Sequence, residues 1–311
     1  MKKKLLAILM AAAMALPIVG CSAISIEGET TGESTGEVVG NGSIGLSIST
    51  KNNPFFVSLS EGAKEKADEL GVDLIEVDAG DDSAKQTSDI EDLISKKISV
   101  LIVNPVDSDA AAPAVQDAIA KGIKVISVDR VVTGVDVDCE IASDNVAGAE
   151  MVTKYMVEQL GEGAKVAELQ GVNGASATID RGQGFHNVAD SSFDLVASQS
   201  ANFNRSEGMS VTENMLQANP DLKGIFAHND EMALGAVEAV GSRGILVAGF
   251  DATDDALAAI KAGRMAATIA QKPDLMGATA IETADKLING ETVEKSIPVE
   301  VTLITKDNVD Q

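Results

Sequence analysis

The feature that most constrains the fold is a regular alternation of strand-like and helix-like segments from residue 43 onward. The strand-like runs are rich in Val and Ile, and segments with the helical spacing of apolar residues separate most of them. Apolar strands that alternate with helices indicate parallel sheets covered by helices on both faces. The strand-like runs occupy residues 43–49, 72–78, 99–104, 124–129, 164–170, 193–199, 224–229, 245–251 and 265–271.

The number of these runs exceeds the number of strands that one compact sheet usually contains, and the runs fall into two similar series. The first series ends near residue 129, and the second begins near residue 164. We therefore predict an α/β fold of two doubly wound lobes with a cleft between them. Between the series, the stretch DCEIAS is also strand-like, and its Cys139 is expected to be a small core residue.

The chain begins with a segment typical of bacterial secretion. Residues 1–20 contain three lysines and then an apolar run too short to span a bilayer comfortably. Ile18-Val19-Gly20-Cys21 resembles a lipobox, in which Cys21 would be acylated; the alternative is a plain cleaved signal. Residues 21–42 are mostly Gly, Ser, Thr and Glu, which predicts a flexible tether to a body outside the cytoplasm.

Charge argues against nucleic acid as a partner. The formal net charge is −24, and removing the three lysines of residues 1–20, which contain no acid, makes it −27. A field of this sign repels phosphate backbones. If Cys21 carries a lipid, Cys139 is the only thiol left, so an intrachain disulfide or a cysteine metal site is not expected.

Enzyme chemistry also lacks support in the motifs. His186 and His228 have no metal-binding spacing, so we expect no metal. The glycine motif GNGSIG at residues 40–45 precedes the first strand instead of following it, so it does not predict a pyrophosphate site. No Walker-type loop is present, and no G-x-S-x-G motif follows a predicted strand. We expect no cofactor.

Polar and aromatic side chains gather where the predicted strands end. In open α/β sheets, ligands bind beyond the carboxyl ends of the strands. Amides, carboxylates and guanidinium groups form paired hydrogen bonds with adjacent hydroxyls, and rings cover C–H faces, so the set predicts a site for a small neutral polyol such as a sugar. The residues are Ser49, Asn53, Phe55, Phe56, Asn104, Asp129, Arg130, Gln170, Asn229, Phe250, Asp251 and Gln271, with Arg181 and Phe203 in the segments that follow.

Several of these residues have simpler explanations. Asn53 precedes a proline and a helical pattern, so it is also explained as a helix N-cap. Phe56 falls within the apolar stripe of that helix, whereas Phe55 lies at its edge and is the better candidate for ligand contact. Asp230 precedes another helical pattern and is expected to cap it.

At these positions the sequence resembles the periplasmic sugar-binding proteins of the ribose type, which share a fold with the effector domains of LacI-like repressors. The resemblance covers residues 43–305, approximately. Its most specific motifs are STKNNPFF (49–56), NPVDSDA (104–110), VDR (128–130), IASDN (141–145), ELQG (168–171), DRGQGF (180–185), HNDEMALGA (228–236), GFD (249–251) and AATIAQ (266–271).

The resemblance implies a type I periplasmic binding protein. One lobe would comprise residues 43–143 with 272–300, and the other 144–271 with 301–311. A three-segment hinge would lie near Ser143, Gln271 and Glu300. A ligand that contacts both lobes would stabilise their closed arrangement.

The resemblance also implies roles for individual residues. The family has an arginine two places before the position of Arg181, and this chain has Ile179 there. The difference concerns the groups that hold Arg181 in position and removes no predicted sugar contact. Hydrogen bonds to the sugar would come from Asn53, Asp129, Arg130, Arg181, Asn229, Asp251 and Gln271, ring packing from Phe55, Phe56 and Phe203, and lining or bracing from Ser49, Asn104, Ser143 and Phe250.

The leading hypothesis is a lipid-anchored extracytoplasmic receptor that delivers a monosaccharide, with D-ribose the first candidate, to an ABC permease. A chemoreceptor is a further candidate partner, and the body is expected to be monomeric. Alternatives are a receptor for a hexose or a furanose-like signalling molecule, a repressor core and a sugar-active α/β enzyme. The secretory start, the acidity and the lack of a basic helix-turn-helix segment disfavour the repressor.

Overall fold

The computed structural model describes residues 40–310, so the predicted signal, Cys21 and residues 21–39 of the predicted tether lie outside the described residues. Within the described range the chain forms two six-stranded sheets. The strands are β1 (Ile44–Ile48), β2 (Leu74–Asp78), β3 (Val100–Val103), β4 (Lys124–Val128), β5 (Cys139–Ser143), β6 (Lys165–Gln170), β7 (Asp194–Ser200), β8 (Gly224–Ala227), β9 (Leu246–Ala248), β10 (Ala267–Ala270), β11 (Ser296–Val299) and β12 (Thr302–Thr305).

Helices connect most of these strands. They are α1 (Pro54–Leu70), α2 (Ser83–Ser95), α3 (Ala112–Ala120), α4 (Asn145–Leu160), α5 (Ser176–Ser192), α6 (Arg205–Ala218), α7 (Asp230–Val240), α8 (Asp254–Lys261) and α9 (Pro273–Ile288). None of the helices within residues 40–310 combines the length and apolarity needed to cross a membrane.

Each sheet is covered by helices on both faces, as the alternation predicted. The first sheet has the strand order β11-β5-β4-β3-β1-β2, and the second has the order β12-β10-β9-β8-β6-β7. On the first sheet, α1 and α9 pack against one face and form one apolar core with it, and α2 and α3 form a second apolar core on the opposite face. On the second sheet, α6, α7 and α8 pack on one face, and α4 and α5 pack on the opposite face. We call each sheet with its helices the first and the second lobe.

The chain crosses between the sheets three times. It leaves the first sheet after β5, returns to that lobe after β10, and crosses again between β11 and β12. As a result, α9 packs against α1 although the whole second sheet except β12 separates them in sequence. The two lobes are therefore built from interleaved segments of the chain.

The sheets differ from the sequence prediction at their edges. Strand β12 pairs antiparallel with β10, whereas all the other strand pairs of residues 40–310 are parallel. Strands β11 and β12 were not predicted, because each has only four residues and lies partly exposed at an edge. Pro298 suits such an edge, since it has no N–H to donate to a further strand.

Several strands also end earlier than predicted. Strand β4 ends at Val128 and β9 at Ala248, so Asp129 and Asp251 follow their strands instead of ending them. The φ angle is 63° at Asp129 and 132° at Asp251. A positive φ interrupts the regular strand conformation, so the backbone turns at these two residues, although Asp251 still forms an isolated bridge with Ala270 of β10.

Cys139 is a core residue of β5, as predicted, and its side chain is fully buried. Burial raises the pKa of its thiol to about 11. The thiol is therefore protonated at neutral pH and unsuited to nucleophilic chemistry.

Candidate functional site

A small cavity lies between the two lobes. Each lobe contributes half of the residues around it, and both contribute rings, amides, carboxylates and guanidinium groups. Nine of the ten residues named in the sequence as ligand contacts line this cavity. The lining residues are Asn53, Phe55, Phe56, Asp129 and Arg130 from the first lobe, and Ala177, Arg181, Phe203, Asn229 and Asp251 from the second.

The start of α1 forms one wall. Asn53 is the N-cap, as the sequence suggested, and its Oδ1 accepts a hydrogen bond from the Phe55 N–H at 3.0 Å. This leaves Nδ2 as the hydrogen-bonding group of Asn53 that the cap does not use. The rings of Phe55 and Phe56 meet edge to face, with centroids 5.2 Å apart. Both rings are buried in the first-lobe core and both line the cavity, so Phe56 is not confined to the core.

The side-chain amide of Asn104 holds the Asp129 carboxylate in position. Asn104 Nδ2 donates to Asp129 Oδ2 at 3.1 Å, and Asn104 Oδ1 accepts from the Ser49 N–H at 3.1 Å. Burial raises the pKa of the Asp129 carboxyl, while the charges of Arg130 and Arg181 oppose that rise. The carboxylate is therefore fixed in position and has positive neighbours.

Arg130 lies between rings of the two lobes. Its guanidinium carbon is 5.1 Å from the Phe56 ring centre and 5.2 Å from that of Phe203. Arg130 Nη1 donates to the carbonyl of Pro105 at 3.0 Å. Its Nε is 3.6 Å from Asp129 Oδ2, is buried and makes no hydrogen bond among the described residues. Arg130 thus has an unused donor beside the cavity.

Arg181 is anchored entirely within the second lobe. Its Nε donates to Asn145 Oδ1 at 2.8 Å, and its Nη1 donates to the His228 carbonyl at 2.6 Å. The guanidinium stacks on Phe250 at 3.9 Å from the ring centre and lies 3.7 Å from Asp251 Oδ1. Ile179 is 58% exposed and takes no part in this brace.

Gln271 is the one predicted contact that does not line this cavity. Its Nε2 donates to Asp251 Oδ1 at 2.8 Å, and it lines an adjoining cavity together with Phe55. Burial raises the pKa of Asp251 well above its ordinary value, and Arg181 opposes that rise. Gln271 therefore holds the Asp251 carboxylate in place through its amide N–H. Its buried Oε1 has no hydrogen-bond partner among the described residues.

The prediction that Asp230 caps α7 was wrong. The N-cap is Asn229, whose Oδ1 accepts from the Met232 N–H at 3.0 Å and whose Nδ2 donates to the Phe203 carbonyl at 3.2 Å. Asp230 is the first helical residue and is fully buried, where its Oδ1 accepts from Thr268 Oγ1 at 2.7 Å. Burial raises the pKa of Asp230 to about 6.

The residues predicted to line or brace the site do not line the central cavity. Asn104 and the Ser49 backbone support Asp129, and Phe250 lies beneath Arg181. The Ser143 carbonyl accepts a hydrogen bond from Asn145 Nδ2 at 3.4 Å.

Sequence reasoning missed two residues of the site. Ala177 lines the cavity, and an alanine gives no chemical signal in a sequence. Asn145 braces Arg181, and its presence at the end of the motif IASDN was the signal that could have identified it.

The two histidines share one buried carboxylate behind Arg181. His228 Nε2 lies 2.8 Å from Glu168 Oε1, and His186 Nε2 lies 3.6 Å from Glu168 Oε2. Burial lowers the pKa of His228. The pKa of Glu168 is also lowered: burial would raise it, but the hydrogen bonds from His228 and Ser198 and the charges of the two histidines together outweigh that effect. No group of three or more His, Cys, Asp or Glu side chains in residues 40–310 is arranged to hold a metal ion.

The cavity combines directional polar groups with apolar rings. Two aspartates and two arginines face each other there, and all four are at most 7% exposed. Their formal charges balance, so the lining does not call for a charged ligand. A small uncharged molecule with several hydroxyls matches the lining, because each hydroxyl both donates and accepts.

The comparison with known families agrees with this geometry. Residues 44–292 match the family model described as periplasmic binding protein domain, and the chain belongs to that family. The family consists of extracytoplasmic substrate-binding proteins of ABC importers, not enzymes, so the chain is a solute-binding protein.

Individual relatives are similar over most of their length. The ribose import binding protein of Bacillus subtilis is 52% identical over 265 residues, which cover 85% of this chain and 87% of the relative. The D-apiose import binding protein of Actinobacillus succinogenes is 37% identical, over 80% of this chain and 82% of the relative. A solved structure of the Caulobacter myo-inositol binding protein with bound myo-inositol has a TM-score of 0.83 and 35% identity, covering 86% of this chain and 94% of that one.

Proposed function

We propose that the protein captures a monosaccharide outside the cytoplasm, with D-ribose as the ligand, and delivers it to an ABC permease. The observation that carries the proposal is the convergence of an Asp–Arg pair and phenylalanine rings from each lobe on one small cavity. The 52% identity to a ribose import binding protein supports D-ribose as the ligand.

Capture would occur by lobe closure. Residues 43–143 with 272–300 would move against residues 144–271 with 301–311, about a hinge near Ser143, Gln271 and Glu300. In the closed form a sugar contacts both lobes at once, whereas an open form offers it only half of these contacts. Sugar binding therefore stabilises closure, and the permease can recognise the closed shape.

The polar groups would bind the hydroxyls. Arg130 Nε and Asn53 Nδ2 supply donors that the protein does not use elsewhere, while Asp129 and Asp251 supply acceptors. In this proposal, hydrogen bonds come from Asn53, Asp129, Arg130, Arg181, Asn229, Asp251 and Gln271, ring contacts come from Phe55, Phe56 and Phe203, and bracing comes from Ser49, Asn104, Ser143 and Phe250.

The amino-terminal sequence supports a membrane-anchored form. After removal of residues 1–20, Cys21 would carry the lipid, and residues 21–42 would link it to a monomeric body. Detergent partitioning of the native protein, compared with a Cys21→Ala variant, tests this part. Partitioning of both proteins into the aqueous phase would contradict it.

A panel of sugars tests the ligand. Saturation with a tight ligand raises the melting temperature, because the ligand binds the folded protein alone. We expect D-ribose to give the largest rise and calorimetry to give a micromolar or tighter dissociation constant, about −8 kcal/mol or lower. An unchanged melting temperature with every pentose and hexose would contradict sugar binding.

Asp129→Ala tests the site. We expect it to weaken binding by about 2–5 kcal/mol, because buried partners lose their acceptor. Asp68→Ala, at a carboxylate that is 72% exposed, is the control and should bind like the wild type. Equal affinities for the wild type and Asp129→Ala would remove Asp129 from the site.

A second candidate is another small polyol. The structure with bound myo-inositol and the D-apiose relative favour including such ligands in the panel. A larger rise in melting temperature with either compound than with D-ribose would select this candidate.

A further inference from the structure

The lobes are joined by hydrogen bonds that do not involve the cavity. The Ser108 N–H of the first lobe donates to the Gly174 carbonyl of the second at 2.9 Å. The Ser176 N–H donates back to Ser108 Oγ at 3.1 Å, and the Val131 N–H donates to Ser176 Oγ at 3.1 Å. None of these four residues lines the cavity. We call Ser108, Val131, Gly174 and Ser176 the clasp.

The two serines of the clasp are buried, whereas Val131 and Gly174 are partly buried. Ser108 is 1% exposed and Ser176 is 8% exposed. The Ser108 carbonyl accepts from the Thr133 N–H at 3.0 Å, so the first lobe holds Ser108 in place. When the lobes separate, the three N–H donors of the clasp exchange their acceptors in the opposite lobe for water. The clasp therefore exists only in the closed arrangement.

Gly174 has a further requirement that arises only on closure. A Cβ at this position would overlap with Oδ2 and Cγ of Asp107, a residue of the first lobe. Asp107 cannot move away freely, because its Oδ1 accepts from the N–H groups of Asp109 at 2.9 Å and Ala110 at 2.8 Å. The three atoms nearest to that Cβ all belong to Asp107, so the closest conflict is with the opposite lobe.

The clasp adjoins the cavity in sequence on both sides. Val131 follows Arg130, and Ala177 follows Ser176, and both Arg130 and Ala177 line the cavity. The hydrogen bond between Val131 and Ser176 therefore sets how closely the start of α5 approaches the arginine of the first lobe.

We propose that the clasp sets the closing equilibrium of the two lobes and so determines affinity without touching the ligand. The proposal rests on the proposed function, in which capture requires closure. The apparent dissociation constant equals the intrinsic constant divided by the fraction of protein that is in the closed, binding-competent state. A change in the clasp should therefore alter the affinity for every bound sugar by the same factor.

Variants of the clasp test the proposal. Ser176→Ala removes the acceptor for Val131 and should weaken D-ribose binding about 3- to 10-fold, the range expected for one hydrogen bond. Gly174→Ala should weaken it about 10-fold or more, because the overlap with the Asp107 carboxylate must be relieved in the closed form. Ser191→Ala is the matched control, since its exposed hydroxyl lies on the same helix and bonds only to the Val188 carbonyl. It should bind like the wild type.

The measurements are calorimetric affinity for each sugar that the wild type binds, sugar dissociation by stopped flow, and the radius of gyration in solution. We expect faster dissociation, an unchanged ratio of affinities between sugars and, at saturating sugar, the same compact radius as the wild type. Asp107→Ala combined with Gly174→Ala should recover affinity relative to Gly174→Ala, once the effect of Asp107→Ala alone is subtracted. Thermal unfolding without sugar checks that each variant folds, and Ser108→Ala replaces any that does not.

The outcomes separate the two proposals. If the wild type binds no sugar, the proposed function is wrong and the clasp proposal falls with it. If the wild type binds a sugar but Gly174→Ala and Ser176→Ala bind it equally well, the clasp alone is rejected. A change in the ratio of affinities between sugars would also reject it, because the residues would then act on the ligand directly.

Discussion

Arg130 in the first lobe and Arg181 in the second face the same cavity, but their surroundings differ. Arg181 has two hydrogen bonds, an aromatic platform and a carboxylate partner, all within its own lobe. Arg130 depends on Phe203 of the opposite lobe for one of its two ring contacts and keeps a buried Nε without a partner. The second lobe therefore presents a preformed half-site, while the first lobe is completed by closure and by the ligand.

The largest effects are expected at these two arginines, whose replacement should cost the same in sugar binding but not in stability. Both Arg181→Met and Arg130→Met should abolish measurable sugar binding. In the sugar-free protein, Arg181→Met should lower the free energy of unfolding by about 3 kcal/mol, because the His228 carbonyl and Asn145 Oδ1 lose their donor and Asp251 loses its cationic partner. Arg130→Met should lower it by about 1 kcal/mol, the contribution of the hydrogen bond to the Pro105 carbonyl. Urea unfolding measures both, and equal losses would contradict the proposed difference between the lobes.

The buried histidine of the second lobe should make its stability depend on pH. The folded pKa of His228 is below its ordinary 6.5, so below pH 6.5 the unfolded chain binds a proton that the folded chain does not. This term lowers the free energy of unfolding as the pH falls, by up to about 1.4 kcal/mol per pH unit for one proton. Asp230 has the opposite sign, because its raised folded pKa of about 6 gives a contribution that is present below pH 3.8 and lost as the pH rises through 6.

His228→Gln isolates these terms, because the glutamine amide can still donate to Glu168. The lowered pKa of Glu168 gives a contribution present above pH 4.5 and lost only at lower pH, so it does not interfere between pH 6.5 and 5. We expect the variant to gain stability relative to the wild type as the pH falls through this window. Unfolding curves that keep a constant separation would contradict the assignment.

The two cap asparagines offer a smaller contrast between the lobes. Asn53→Ala and Asn229→Ala should each cost about 1 kcal/mol of stability through the lost cap, and Asn229→Ala should cost more because its amide also holds the Phe203 carbonyl. Both should also weaken sugar binding. Asp82→Ala removes the cap of α2, so it should lower stability similarly and leave affinity unchanged. Normal affinity in Asn53→Ala would show that Asn53 is only a cap.

The smallest effect is expected at Ile179. Its side chain is 58% exposed, and Arg181 is braced without it. We expect Ile179→Arg to change sugar affinity by less than about 2-fold, as for an ordinary surface substitution. A larger change in a calorimetric titration would show that position 179 acts on Arg181.

Much of this architecture could be predicted from residues alone. The alternation of Val/Ile-rich runs with helical segments was sufficient for the two parallel sheets, since it reports burial on both faces. Polar residues beyond the strand ends indicated where a ligand would bind, and the family resemblance singled out those that meet at one cavity. The cap of α7 was assigned one residue too late, because Asn229 and Asp230 are both good caps and only the backbone distinguishes them.

The contacts that sequence analysis missed join residues that are far apart in the chain and that no local sequence pattern links. His186 and His228 meet at Glu168 because α5 and β8 both adjoin β6, an adjacency that spacing along the chain does not reveal. The hydrogen bond between Ser108 and Ser176 joins small residues of two loop–helix junctions, and serines are common at such junctions for local reasons.

The late position of β11 and β12 has a consequence for biosynthesis. These two strands complete the edges of different sheets, and both follow the ten other strands of the described residues along the chain. During translation, neither lobe can acquire its full set of strands until the segments that form the ten earlier strands have emerged, so both lobes remain incomplete until that stage. A carboxy-terminal truncation by a protease or a premature stop would uncover β5 and β10 together, and such unpaired edges promote aggregation.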